Sequence, residues 1–78
     1  MQSDVINIDK EILNGTPVFK GTRVPIETLF DHLEEGISIN IFLKDFPSVT
    51  REQVTAVLEM AGKILSSKNI KQLYETAA

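Results

Sequence analysis

Cysteine is absent from this chain and histidine occurs once, as His32. Disulfide bonds and thiolate chemistry are therefore excluded, and no Cys/His zinc site can be assembled. Long apolar runs are missing as well. The longest uncharged stretches, such as Gly36 to Leu43, are far too short to span a bilayer, and no signal segment is visible, so a cytoplasmic protein without membrane partners is expected. Basic residues are in the minority: 8 Lys and Arg against 11 Asp and Glu give a net charge of −3, which argues against a generic nucleic-acid binder held by a basic surface.

A chain of 78 residues makes one domain. A domain this small buries only about 60% of the surface that its unfolded chain exposes. Small size without covalent staples points to association, and a homo-oligomer, most simply a dimer, is expected. The charges are unevenly spread. Glu27, Asp31, Glu34 and Glu35 fall in a stretch with no Lys or Arg, whereas Lys63, Lys68 and Lys71 have only Glu75 after them. One part could face a cationic partner and another phosphate, although solvated faces explain such runs more often.

Glycine and proline are scarce, and two of the four glycines and two of the three prolines lie between Gly15 and Pro25. Gly21-Thr22, between Val18-Phe19-Lys20 and Arg23-Val24, reads as a two-residue hairpin loop with Gly at the first central position of a type II′ turn. Pro25 suits position N1 of a following helix. Upstream, Val5-Ile6-Asn7-Ile8 reads as a short strand with Ile6 and Ile8 on one side, able to join the hairpin as a third strand. Asp9 to Asn14 reads as one helical turn. A lone hairpin is marginal in water, so that extra pairing is physically needed.

From Pro25 the apolar period changes to 3.6. Ile26, Leu29, Phe30 and Leu33 form the stripe of a first helix, ended by Gly36 at C′. Ser38 caps a second, with Ile39, Phe42, Leu43 and Phe46 at the same spacing and a staple from Ile37 to Phe42. Pro47 stops it. Thr50 and Gln53 make a capping box for a third, whose stripe is Val54, Val57, Leu58, Ala61, Ile64 and Leu65. The expected fold is mainly α, a tri-helical, helix-turn-helix-like core over residues 25–66. It is preceded by a β-hairpin or three-stranded β element over residues 5–25 and followed by a tail or helix extension over residues 67–78.

In a helix-turn-helix the start of the second member enters the major groove. Here it would present Thr50, Arg51, Gln53 and Thr55 to DNA, Arg reading guanine and Gln adenine. Thr50 and Gln53 are also spoken for by capping, and Glu52 and Glu59 share the exposed face. Catalytic readings fare worse. His32 has no second His or Cys beside it, Asp31 and Glu35 form an open carboxylate pair, and Gly15 and Gly21 lack the Gly-Lys-Ser/Thr of a P-loop. The chain reads as a non-enzyme without metal or cofactor.

The run Gly15-Thr16-Pro17-Val18-Phe19-Lys20-Gly21-Thr22-Arg23-Val24-Pro25 is followed by a helix, Glu35-Gly36-Ile37-Ser38, and Phe46-Pro47-Ser48-Val49-Thr50-Arg51-Glu52-Gln53-Val54. In order and spacing this resembles the bacterial domain of unknown function 433 family. Thr16 stands where a charged residue is common, and the segment from Gly62 to Ala78 lacks the Tyr-rich ending often found there.

The resemblance implies a tri-helical antitoxin of a type II toxin-antitoxin module that binds and neutralises a PIN-like nuclease toxin and autorepresses its operon. The alternative is a helix-turn-helix transcriptional regulator without a toxin partner. PIN-type sites hold metal with carboxylates, so Arg23, with Lys20 as the alternative, could insert a cation there. Arg23 could equally pair with a carboxylate of its own domain. In the C-terminal segment Ile70, Leu73 and Tyr74 make a small helical stripe. It could bind the toxin in a groove, continue the third helix, or cross to a second subunit.

Overall fold

Two short strands joined by tight turns make up the N-terminal third, and a change of apolar period at Pro25 puts the rest into helices. The computed structural model describes residues 4–68 together with Lys71, Gln72 and Glu75. Strand β1 (Ile6–Asn7) pairs antiparallel with β2 (Val18–Phe19), Ile6 opposite Phe19 and Asn7 opposite Val18. On its other side β2 is met by the chain returning after the turn: Val18 bridges Pro25, and the Phe19 N–H donates to Val24 O at 3.0 Å. The β element is thus three segments wide with β2 in the middle, the third reduced to one bridge. Both residues of the central strand are fully buried, as expected of a strand covered on both faces.

Three local expectations are corrected. The turn is shifted by one residue: Thr22 N–H donates to Phe19 O at 3.0 Å, so Lys20 and Gly21 are the central pair. Gly21, at φ 81°, occupies the position where a type II turn, not a type II′ turn, needs positive φ. The segment from Asp9 is not one right-handed helical turn but three tight turns, closed by Ile12 N–H to Asp9 O, Gly15 N–H to Ile12 O and Thr16 N–H to Leu13 O, and Leu13, Asn14 and Gly15 all have positive φ. Leu13, at φ 49°, carries the steric strain of a bulky side chain in the left-handed region. Ile8 does not share the inner face with Ile6, because the strand ends at Asn7 and Ile8 is exposed.

Helix α1 spans Ile26–Glu34. Pro25 is its N-cap rather than N1, with ψ 141°, because its backbone is still engaged with β2. The Ile26 N–H, which would otherwise lack a partner at a helix start, donates back to Pro17 O at 3.0 Å. At the other end Gly36 has φ 78°, Gly36 N–H donates to Leu33 O and Ile37 N–H to His32 O. That is a full Schellman motif. Ser38 caps α2 (Ile39–Asp45) by accepting from Ile41 N–H. Both halves of the expected capping box form at α3 (Arg51–Leu65): Gln53 N–H donates to Thr50 Oγ1 at 3.1 Å, and Thr50 N–H to Gln53 Oε1 at 3.0 Å.

Each element sends residues to one core: Phe19 from β2, Leu29 from α1, Phe42 from α2, Val49 from the α2–α3 joint, and Val54 and Val57 from α3. Phe42 is its hub, with ring centroids 6.0 Å from Phe19, 5.4 Å from His32 and 5.1 Å from Phe46. These separations and tilts lie in the favourable range for aromatic pairs. The α3 stripe is covered only over its first half. Val54 and Val57 are buried and Leu58 packs against the core, but Ile64 and Leu65 remain 56% and 68% exposed. Among the described residues no helix is long and apolar enough to cross a membrane.

Candidate interaction site

The turn that follows β2 is held from three sides. Buried Thr22 donates from its hydroxyl to Phe19 O at 2.8 Å and accepts from Val24 N–H at 3.0 Å, so one side chain closes both arms. Lys20 N–H donates to Val5 O at 2.7 Å, tying the turn to the chain before β1. Gln53 Nε2 donates to Lys20 O at 3.0 Å, tying it to the first turn of α3. What this frame presents outward is Lys20 and Arg23, both exposed.

Among the described residues no ion pair forms within 4 Å, so the internal carboxylate pairing considered for Arg23 is not found there. A guanidinium on a backbone fixed at both ends keeps its five donors for an outside acceptor and loses little backbone freedom on binding. Chemically, the turn can offer two cations to a carboxylate or phosphate surface.

The residues expected to face DNA divide differently. Thr50 and Gln53 are consumed by the capping box, and the remaining Gln53 donor goes to Lys20 O. Arg51 is exposed and its Nη2 donates to Asn40 Oδ1 of α2; Thr55 is exposed. Arg51, Glu52, Thr55, Ala56 and Glu59 line one shallow depression, in which two carboxylates outnumber the single cation. Ile70, Leu73 and Tyr74 lie outside the described residues.

His32 is used structurally. Its Nδ1 bonds to Thr28 O at 2.8 Å, and its ring meets Phe42 and Phe46 edge-on. Among the described residues no group of three or more His, Cys, Asp or Glu is placed to hold a metal ion.

Two contacts escape sequence reading. The role of Thr22 has a local signal, because Thr hydroxyls bond to backbone within turns. The Gln53 bond to Lys20 O and the Arg51 bond to Asn40 cross 33 and 11 residues and leave no such trace.

The structure defines a class: a small tri-helical domain with a β element whose turn docks on the third helix. The model of the family described as "Protein of unknown function (DUF433)" matches residues 6–61, most of the chain, and the chain belongs to that family. It is also similar to an uncharacterized protein, y4eO, of Sinorhizobium fredii, with 33% identity over 51 residues. Those residues are 65% of this chain and 23% of the relative, so the chain spans about a quarter of the length of the protein it matches. No solved structure matches.

Proposed function

We propose that this chain is an antitoxin-like domain that binds and neutralises a PIN-like nuclease toxin, with Arg23 and Lys20 as its cationic contacts. One observation carries the reading: Arg23 is exposed on a turn locked by Thr22 and by Gln53, with no carboxylate partner among the described residues. A nuclease site that gathers carboxylates for metal offers such a guanidinium a bidentate acceptor. Inhibition then follows from occupation of the acidic site or from closing access to it. Autorepression of the operon is the second part of the reading. It draws support from exposed Arg51 and Thr55 at the start of α3, and is weakened by the committed Gln53 amide and by Glu52 and Glu59.

Co-expression with the product of the adjacent gene tests the proposal. The expected result is co-purification and loss of the partner's ribonuclease activity. Arg23→Ala is expected to weaken the complex by about 2 kcal/mol or more, some thirtyfold, while the melting temperature is unchanged. A neighbour that is neither toxic nor bound sinks the reading.

A further inference from the structure

The second half of α3 is an amphipathic surface that nothing among the described residues covers. Ile64 and Leu65 are the most exposed large apolar residues described, and both lie beyond residue 61, where the family match ends. Around them the charge is of one sign: Lys63, Lys68 and Lys71 are exposed, and no acid occurs between Met60 and Gln72. The backbone turns at Ser66 and is helical again at Lys68, Lys71 and Gln72, with Lys71 N–H bonded to Ser67 O at 3.3 Å.

The complement stands elsewhere on the same molecule. Glu27, Asp31 and Glu34 on α1 and Glu35 at its C-cap are all exposed, none has an ion-pair partner among the described residues, and no Lys or Arg occurs from Pro25 to Leu43. Phe30, three residues after Glu27 and four before Glu34, borders this face and is only half-buried. The acids span nine positions, about 12 Å at helical rise, and the three lysines span nine positions across the turn at Ser66.

We propose that the α3 extension of one copy docks on the acidic α1 face of a second, reciprocally, giving a two-fold dimer. Ile64 and Leu65 would sit beside Phe30, with Lys63, Lys68 and Lys71 over Glu27, Asp31, Glu34 and Glu35. A two-fold axis forms both contacts at once, and both patches leave water in a single event. Like-charge crowding at Glu27/Asp31 and Asp31/Glu35 is relieved by the lysines of the partner copy. Association also answers the shortage of buried surface in so small a domain.

The test is a charge swap read by sedimentation equilibrium at micromolar concentration. The unaltered chain is expected to be a dimer that weakens with added salt. One variant carries Asp31→Lys and Glu34→Lys, the other Lys63→Glu and Lys68→Glu. Each alone is expected to dissociate about tenfold more readily, or further, because in both of its interfaces the attraction is lost and the substituted positions oppose like charges. Mixed in equal amounts, the two are expected to form a heterodimer, since in one interface the new lysines meet the new glutamates and the other interface is unaltered. Misfolding cannot produce that gain of assembly. Ile64→Asp with Leu65→Asp is expected to yield monomer with helical circular dichroism retained. A monomeric unaltered chain, a dimer indifferent to both charge variants, or a mixture that does not reassociate overturns the proposal.

Discussion

Replacing Thr22 by Val tests whether one buried hydroxyl holds the β element in shape. The side chains are nearly isosteric, so the substitution keeps the volume and removes only the hydrogen-bonding group. Two bonds disappear, Oγ1–H to Phe19 O at 2.8 Å and Val24 N–H to Oγ1 at 3.0 Å. Their consequences differ. Phe19 O keeps a second donor, Thr22 N–H at 3.0 Å, whereas Val24 N–H loses its acceptor. A bond lost with its partner still satisfied costs about 0.5–1.5 kcal/mol, and a buried donor left unmet about 1–3. Val24 is only half-buried and water reaches part of it, so we expect about 2 kcal/mol in total. For a domain of this size that lowers the melting temperature by roughly 8–16 °C. Thr22→Ser is the control: it keeps the hydroxyl and loses one buried methyl, about 0.8 kcal/mol. Thermal unfolding by circular dichroism ranks the pair. If Thr22→Val melts at or above Thr22→Ser, the hydroxyl does not hold the turn and the reasoning is refuted.

Glycine substitutions should move stability in opposite directions at two sites where an added Cβ meets nothing within 4 Å. Gly21→Ala is expected to destabilise by about 1–2 kcal/mol because φ is 81° there. Gly62→Ala, within α3, is expected to stabilise by about 0.5–1 kcal/mol in urea unfolding; equal signs would contradict the backbone argument. Gln53→Ala removes a cap acceptor and the tie to Lys20 O and should cost about 1–2 kcal/mol, against about 1 for Thr50→Ala. A double-mutant cycle should show the two to be non-additive, since each closes the box on the other; additive losses would mean that the box is not cooperative.

The helices were legible because their information is local. The i, i+3, i+4 spacing, Ser38 and Thr50 as caps, Gln53 as the reciprocal partner and Gly36 at C′ act within one or two turns, and each forms as read. The β element was legible only in outline. That Gly21 marks a turn follows from composition, but whether it is the first or second central residue depends on which carbonyl the turn closes on. Here the buried Phe19 and the Thr22 hydroxyl choose it. The left-handed segment through Leu13 defeats local reading altogether, because a leucine there opposes its own propensity. Likewise the apolar pattern of α3 states which face is hydrophobic, not how far its neighbours extend, so the exposure of Ile64 and Leu65 had to be seen.

The bond from Gln53 to Lys20 O has a consequence for function. It places the turn bearing Lys20 and Arg23 against the first turn of α3, which bears Arg51. Residues that the sequence divides between a protein partner and DNA are therefore neighbours. A partner that buries about 800 Å² on this side covers roughly a seventh of the 5818 Å² the chain exposes, so one seated on Arg23 can reach α3. Loss of toxin binding in Arg51→Ala would then say nothing about an operator, and loss of operator binding in Arg23→Ala nothing about a toxin. Salt separates the two where mutation does not. DNA binding that neutralises Z phosphates weakens with a log–log slope of about −0.9Z through counterion release. A single guanidinium docked among the carboxylates of a folded partner is largely shielded from that screening. A slope steeper than about −3 for the operator, beside a shallow one for the toxin, would assign both functions to one surface. A shallow slope for the operator would leave the toxin as the ligand for which this turn is built.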